Sequence, residues 1–160
     1  MCQPIKFLLI SYLLLLTNTS QALDCKSKIQ GRFREDGSGG GVYDRTISDD
    51  EVLEFVLKLK SAIARDDRRE VAKIANCTSS KRGCRWYTHD TNGRSVERYI
   101  ENEDIFLKNY DEIITDSIKS NLAKVKGAND ISAKFQGFSI CNGSIWFDPK
   151  RGVITFNSSE

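Results

Sequence analysis

The stretch that most constrains the fold lies at the C-terminal end, between residues 135 and 157. β-Forming residues alternate there with turn signals, which predicts three short strands joined by two tight turns. Asn142-Gly143 suits a type I′ hairpin because both central positions need a positive φ. Pro149-Lys-Arg-Gly152 suits a second turn, in which proline pre-sets φ and glycine closes the turn. The sequence therefore predicts an apolar antiparallel meander on which helices can pack.

The segment that enters this meander carries apolar residues of opposite parity. Ile131 and Ala133 share one parity, whereas Phe138 and Ile140 share the other. A strand with a two-residue period cannot place both pairs on one face unless an extra residue intervenes. Gly137 lies at the change of phase, where a β-bulge would bend the strand. We therefore expect a bent sheet that wraps around the helices or around a cavity beside them.

The first 22 residues have the pattern of a secretory signal peptide. Lys6 supplies a positive charge, residues 7–16 are apolar apart from Ser11, and Ser20-Gln-Ala22 places small residues at a cleavage site. This apolar stretch is too short to cross a bilayer, which takes roughly 20 residues. We expect cleavage near Ala22, no membrane span, and a protein that is secreted or periplasmic.

The mature chain divides into an N-terminal arm, residues 23–47, and a single domain, residues 48–158. The run Gly37-Ser-Gly-Gly-Gly41 makes the arm too flexible for a regular element. A phosphate-binding P-loop would also need a lysine followed by Ser/Thr after the glycines and an apolar strand before them, and this run has neither. The arm is therefore interpreted as a linker or an exposed loop.

The charges do not favour nucleic acid as a partner. The full chain has a net charge of +2, and removal of the signal peptide takes away one lysine, which leaves +1. Arg85 and Arg94 stand near other basic residues, but Asp90 and Glu97 lie among them. A nucleic-acid-binding surface keeps one sign of charge over a face. We expect a solvated surface of mixed charge.

Four cysteines remain after cleavage: Cys25, Cys77, Cys84 and Cys141. An even number in an exported chain predicts disulfides, and four cysteines allow three connectivities. Cys77 and Cys84 enclose a short polar loop, so we pair them locally and pair Cys25 with Cys141. A zinc site is the competing interpretation, but the Cys-x6-Cys spacing and a single histidine fit it poorly. We predict two disulfides and no metal site.

Helix signals begin directly after the arm. Ser48-Asp-Asp-Glu51 is a capping box, and apolar residues between 52 and 63 recur with the spacing of one helix face. Asp67 opens a second, shorter helix, and further helices begin near Asn102 and at Thr115. The helices would supply a second layer against the meander.

A hairpin is predicted between the second and third helices. Arg85-Trp-Tyr-Thr-His89 and Ser95-Val-Glu-Arg-Tyr-Ile100 carry β-formers and flank Asn92-Gly93. His89 is the only histidine, and a general base would need a partner in reach and a pocket. Beside Asp90, His89 is more typical of a strand end or turn than of a catalytic base.

The order of these elements resembles the NTF2-like fold, also called cystatin-like. The resemblance is carried by Phe106-Leu-Lys-Asn-Tyr-Asp-Glu-Ile113, by Phe135-Gln-Gly137 through Asn142-Gly-Ser-Ile-Trp-Phe147, and by Val153-Ile-Thr-Phe-Asn157. It covers residues 48–157 and is similar to small exported bacterial members of that superfamily. The resemblance implies an α+β fold in which N-terminal helices pack on a bent antiparallel sheet and enclose a cone-shaped pocket.

Relatives of ketosteroid-isomerase or polyketide-cyclase type hold acid–base residues in this pocket, whereas many other members only bind, dimerise or plug. No residue here matches the acid–base motif of those relatives, so we assign no catalytic residue and no cofactor. Tyr110 has helical spacing from Phe106, and we expect it in the core with its hydroxyl bonded at the rim. The residues expected near a ligand or partner are Tyr87, His89, Tyr110, Trp146 and Asp148.

We therefore expect a non-enzymatic domain that binds a small apolar ligand or a protein partner through its sheet and pocket; a homodimer is a further expectation. A ketosteroid-isomerase-like lyase or isomerase, and an immunity or inhibitor-like protein that occludes an exported enzyme, are the alternatives. His89 or an aspartate with a shifted pKa in an apolar pocket favours the enzyme. A filled pocket and an exposed aromatic patch favour binding.

Overall fold

The computed structural model of the protein describes residues 47–77, 83–134 and 137–157. The predicted signal peptide and nearly all of the predicted arm lie outside the described residues. The described helices are α1 (Asp49–Ala64), α2 (Arg68–Ala75), α3 (Glu103–Lys108), α4 (Tyr110–Ile113) and α5 (Asp116–Lys124). The described strands are β1 (Cys84–His89), β2 (Ser95–Ile100), β3 (Ile131–Lys134), β4 (Gly137–Ile140), β5 (Ile145–Asp148) and β6 (Gly152–Asn157).

The strands form one open six-stranded sheet in the order β2-β1-β6-β5-β4-β3. Neighbouring strands are antiparallel except for β1 and β6, which run parallel. The sheet is thus mixed, and the prediction of a purely antiparallel sheet is wrong at this one pair. Three helices and the rest of the meander separate β1 from β6 in the chain, so no hairpin forces the two strands to be antiparallel. The predicted α+β class is confirmed.

One face of the sheet, called here the inner face, packs against the helices, and the opposite face is called the outer face. The ring of Phe55 on α1 stacks on Phe147 of β5 with centroids 4.9 Å apart. Phe106 of α3 lies 6.1 Å from Phe156 of β6. Burial of these side chains is the main stabilising contribution to such a layered fold. Further inner-face residues are Trp86, Ile100, Ile131, Phe138, Ile140 and Ile145.

The change of phase at Gly137 has another cause than the predicted bulge. The segment is two antiparallel strands, β3 and β4, rather than one bent strand. Ala133 faces Phe138 and Ile131 faces Ile140, so the chain reversal itself brings both parities to the inner face. Residues 135 and 136 lie between the two strands and outside the described residues. A bulge does occur elsewhere, where the β5–β6 register shifts between Trp146 and Phe147.

The Asn142-Gly143 connection is longer than the predicted two-residue type I′ turn. Ile140 pairs with Ile145, which leaves four residues between the strands. A 3-10 turn spans Cys141–Gly143, and the Ser144 N–H donates to the Ile140 carbonyl at 2.9 Å. The Ser144 hydroxyl donates to the same carbonyl at 3.0 Å, so the connection closes as one helical turn.

The predicted helix starts are confirmed by their caps. Ser48 and Glu51 form a complete capping box at α1. The side chains of Asp67, Asn102 and Thr115 accept backbone N–H groups at the starts of α2, α3 and α5. Each cap satisfies donors that the first turn of a helix leaves without a partner. These caps fix where each helix enters the layer above the sheet.

Cys77 and Cys84 form the predicted disulfide, with Cα atoms 4.7 Å apart. Cys141 is also disulfide-bonded; Cys25, its predicted partner, lies outside the described residues. Disulfides are typical of oxidising compartments, which fits the expected secretion. Within 47–77, 83–134 and 137–157, none of the helices has the length and apolar character to cross a membrane.

Candidate binding surface

The structure does not bring the five predicted site residues together. Tyr87 and Trp146 lie on the outer face of the sheet. His89 and Asp148 lie at the ends of β1 and β5, whereas Tyr110 is buried between the helices and the sheet. The candidate site therefore lies in one of two regions: the outer face of the sheet, or the core between the helices and the sheet.

A continuous row of side chains crosses the outer face over all six strands. Its two central polar residues are nearly buried, Ser139 at 3% exposed and Thr155 at 4%. Its last residue, Tyr99 on the edge strand β2, is 46% exposed. The most exposed side chains of the row thus lie at its β1–β2 end. In register order, the row is Ser132, Ser139, Trp146, Thr155, Arg85 and Tyr99.

The exposed end of this row is called here the β1–β2 patch and consists of Arg85, Tyr87, Glu97 and Tyr99. Arg85 pairs with Tyr99 across the strands, and Tyr87 pairs with Glu97. The Tyr87 hydroxyl donates to Glu97 Oε1 at 3.1 Å, and Arg85 Nη1 donates to the same oxygen at 3.3 Å. Partial burial and then the bond to Glu97 raise the pKa of Tyr87. The carboxylate therefore holds an arginine and a tyrosine in place beside an exposed aromatic ring.

Trp146 lies nearer the middle of the row and is half-buried. Gly143, with φ of 95°, lies against its indole, and a Cβ at that position would come within 2.8 Å of the Trp146 Nε1 atom. The contact explains why the 3-10 turn before β5 ends in glycine. Trp146 is thus held against its own turn, and the more exposed aromatic of the face is Tyr99.

His89 is exposed at the end of β1, opposite Ser95. The adjacent carboxylate of Asp90 accepts the N–H groups of Asn92 at 2.8 Å and Arg94 at 2.9 Å, and also pairs with the Arg94 side chain. The backbone bond from Arg94 is the largest of the effects that lower the pKa of Asp90. The carboxylate next to His89 therefore closes the predicted β1–β2 hairpin rather than orienting a catalytic imidazole.

Asp148 has a comparable structural role at the turn between β5 and β6. Its carboxylate, 3% exposed with the rest of the residue, accepts the Lys150 N–H at 2.8 Å and pairs with Arg151 Nε at 3.3 Å. The Arg151 N–H donates to the Asp148 carbonyl at 3.0 Å, which confirms the second predicted turn. A carboxylate that bonds its own turn is typical of an Asx turn.

Tyr110 is only 1% exposed, as expected for a core residue. Among the described residues its hydroxyl has no hydrogen-bond partner, so the expected bond at the rim is not seen there. The Arg68 guanidinium lies 4.6 Å from the ring centroid and is held there by two bonds to Asp111, at 3.0 and 3.2 Å. Arg68 therefore covers one face of the Tyr110 ring. Burial raises the pKa of Tyr110 to about 12.

A second buried polar atom lacks a partner in the same region. Trp86 is 3% exposed, and its Nε1–H has no acceptor in the part of the chain that the structure describes. Trp86 and Phe156 are neighbours in register, and Phe106 lies close to both Phe156 and Tyr110, with 5.7 Å between the rings of Phe106 and Tyr110. We call these four side chains the aromatic cluster. An unpaired buried polar group costs about 1–3 kcal/mol, so two in one cluster call for an explanation.

Sequence reasoning missed several residues of these two regions: Trp86 in the core, and Arg85, Glu97 and Tyr99 on the patch. The alternation of Arg85-Trp-Tyr-Thr-His89 was a usable signal, because it places Trp86 and Tyr87 on opposite faces. The alternation alone does not predict which of these two side chains faces the helices. That assignment depends on the parallel pairing of β1 with β6, which no local sequence pattern predicts.

The chain matches no known family model, curated protein or solved structure. The two regions therefore have to be interpreted from their own geometry. Over the described part of the chain, no group of three or more His, Cys, Asp or Glu side chains is placed to hold a metal ion. The described residues form an exposed patch of aromatic and charged side chains on the outer face of the sheet and a filled aromatic core on the inner face.

Proposed function

We propose that this protein is a small exported domain of NTF2-like type that binds a protein partner through the β1–β2 patch. The observation that carries the proposal is the exposed ring of Tyr99 beside Arg85 and Tyr87, which are held by one carboxylate of Glu97. Tyrosine and arginine are the residue types that dominate binding energy at protein interfaces. Side chains that are ordered before binding lose less entropy on association.

The succession of elements supports the NTF2-like part of the proposal. A long helix and a short helix precede a hairpin, short helices follow, and a meander ends the chain, as in the resemblance drawn from the sequence. The described helices pack on the inner face, and the β1–β2 end of the outer face carries the exposed ring of Tyr99, so this end can meet another molecule. The inhibitor-like alternative uses this same surface, with an exported enzyme as the partner.

The distribution of ionisable groups favours binding over a ketosteroid-isomerase-like reaction. The acid–base residue types that such a reaction uses are a carboxylate base and neutral hydrogen-bond donors in an apolar pocket. Tyr110 is the ionisable member of the aromatic cluster, and its raised pKa keeps it protonated. His89 and Asp148 lie at the ends of β1 and β5, and Asp148 bonds the backbone of its own turn.

A small ligand in the core is the second candidate, and the two unpaired polar atoms favour it. Trp86 Nε1 offers a donor, and the Tyr110 hydroxyl offers a donor and an acceptor. A carbonyl oxygen of an apolar molecule that displaced part of the aromatic packing would supply an acceptor to such a donor. Thermal unfolding with and without a ketone-bearing apolar probe tests this candidate, since a ligand bound to the folded state raises the unfolding midpoint.

Site-specific photo-crosslinking tests the main proposal. A benzoylphenylalanine at position 99 is expected to crosslink a partner from the native secreted fraction, and the same group at Lys108 on α3, an equally accessible position, is the control. With the purified partner, Tyr99→Ala and Arg85→Ala should each weaken binding by about tenfold or more. Equal crosslinking at both positions, or unchanged affinity of both variants, would refute the proposal.

A further inference from the structure

A second surface, on α1, presents apolar side chains to solvent. Six residues at i, i+3, i+4, i+7, i+8 and i+11 line a shallow depression along this helix, and that spacing places them on one helix face. Leu57 is 45% exposed, whereas Val56 and Leu59 on the opposite side are fully buried. We call this set the α1 stripe. It consists of Asp50, Leu53, Glu54, Leu57, Lys58 and Ser61.

We propose that the α1 stripe is the contact between two copies of this chain, paired antiparallel across a two-fold axis near residue 56. Such an interface is isologous, so the stripe must be complementary to itself. The proposal is independent of the β1–β2 patch, which lies on the outer face of the sheet, the face turned away from the helices.

The charges of the stripe meet this requirement. α1 is acidic in its first turn and carries Glu54 before Lys58. An antiparallel pair about residue 56 places Glu54 beside Lys58 of the second copy, and the reciprocal contact forms by symmetry. Within one chain these two side chains already lie 2.7 Å apart and are each 64% exposed. They can therefore extend the ion pair across the axis without leaving a buried charge alone.

The apolar residues fit the same arrangement. On a helix, Leu53 lies on the opposite flank of the stripe from Lys58, with Leu57 between them. Reversal about residue 56 brings Leu53 of one copy beside Leu57 of the other, so the four leucines form one cluster flanked by two ion pairs. A parallel pair would instead set Glu54 beside Glu54 of the second copy, which is unfavourable. In the antiparallel arrangement the two helix dipoles also point in opposite directions, which is favourable.

The contact is small, so the dimer should be weak. α1 has 16 residues, which corresponds to a length of about 24 Å. A contact between two helices of this length falls below the roughly 1,200 Å² of total buried surface of a standard interface. We expect dissociation constants in the range from tens to hundreds of micromolar, together with rapid exchange.

Sedimentation equilibrium of the full mature chain between about 5 and 500 µM tests the proposal. The weight-average mass should rise towards that of a dimer, and Leu57→Asp should keep the protein monomeric throughout. Ser120→Asp, an exposed change of the same charge on α5, is the matched control and should leave the dimer unchanged. Wild-type protein that stays monomeric at 500 µM would overturn the proposal, as would a dimer that Leu57→Asp leaves intact.

A charge exchange tests the antiparallel register itself. Glu54→Lys and Lys58→Glu each place like charges across the axis, so each variant alone should dimerise at least tenfold more weakly. An equimolar mixture restores opposite charges at both contacts and should form the heterodimer with near wild-type affinity. Circular dichroism of each variant checks that α1 is folded. A mixture no stronger than the separate variants would refute this register.

Discussion

The inner and outer faces of the sheet are built from neighbouring residues of the same strands, yet they have opposite surroundings. Phe147 points inward, where it is fully buried and stacks on Phe55. Trp146, the next residue, points outward and is half-buried beside its own turn. Both are large aromatics with the same β-propensity. The difference shows that packing partners, and not residue type, decide which face becomes the core.

The largest effect should come from truncating these two neighbours. Phe147→Ala removes a stacked ring from the centre of the core, so the free energy of unfolding should fall by about 3–5 kcal/mol. Trp146→Ala should cost less, because Trp146 is only partly buried. Urea unfolding of both variants measures the difference. Equal losses would mean that the outer face is also a packed core.

Alkaline pH should weaken the inner face through Tyr110. An unfolded tyrosine has a pKa near 10, whereas burial raises that of Tyr110 to about 12. Between these values the unfolded chain releases the phenolic proton and the folded chain retains it, so stability is complete below pH 10 and is lost as the pH rises towards 12. The loss is about 3 kcal/mol at most. In Tyr110→Phe, the pH dependence of the unfolding midpoint should be correspondingly shallower.

The disulfide joins α2 to the inner side of β1, and its removal tests how firmly that edge is held. Replacing Cys77 and Cys84 by alanine opens a loop of six residues, which corresponds to about 2.5 kcal/mol in the chain-entropy model. Chemical denaturation should show this loss, and a reductant should weaken the parent protein by more than the double variant, which keeps the disulfide at Cys141. A parent protein with free thiols at both positions would contradict the prediction.

Removal of the Tyr110 hydroxyl tests whether the aromatic cluster excludes water, as the contacts among its rings indicate. Tyr110→Phe deletes a buried polar atom without a partner, so it should raise the free energy of unfolding by about 1 kcal/mol. Tyr87→Phe is the matched control on the outer face, where the hydroxyl bonds to Glu97, and it should lower stability slightly. Destabilisation by Tyr110→Phe would indicate a bound water or ligand at this hydroxyl.

The smallest effect on stability should come from the outer face itself. Tyr99→Ala removes a ring that is 46% exposed, so the free energy of unfolding should change by less than about 0.5 kcal/mol. Thermal unfolding checks this value alongside the binding measurement. A large loss of stability would assign Tyr99 to the fold and would weaken its proposed role in binding.

Features that depend on neighbouring residues were predicted correctly from the sequence, whereas features that depend on contacts between distant elements were not. The capping residues Ser48, Asp67 and Thr115 act within one turn of the chain, and the structure confirms all three. The phase change at Gly137 admits either a bulge or a chain reversal, and period-two alternation does not separate them. The partner of a buried hydroxyl, as for Tyr110, depends on contacts between distant elements, and so does the face on which Tyr87 emerges.

The position of β6 has a consequence for how the chain folds. It is the last strand in the sequence, yet it lies between β1 and β5 in the middle of the sheet. The β1–β2 hairpin and the β3–β5 meander therefore cannot join until the final residues are in place. Pairing of Arg85 with Thr155 closes a long loop, which slows folding relative to local contacts. A chain that lacks residues 155–157 should remain as two separate pieces of sheet, so the domain completes its fold only when β6 has paired with β1.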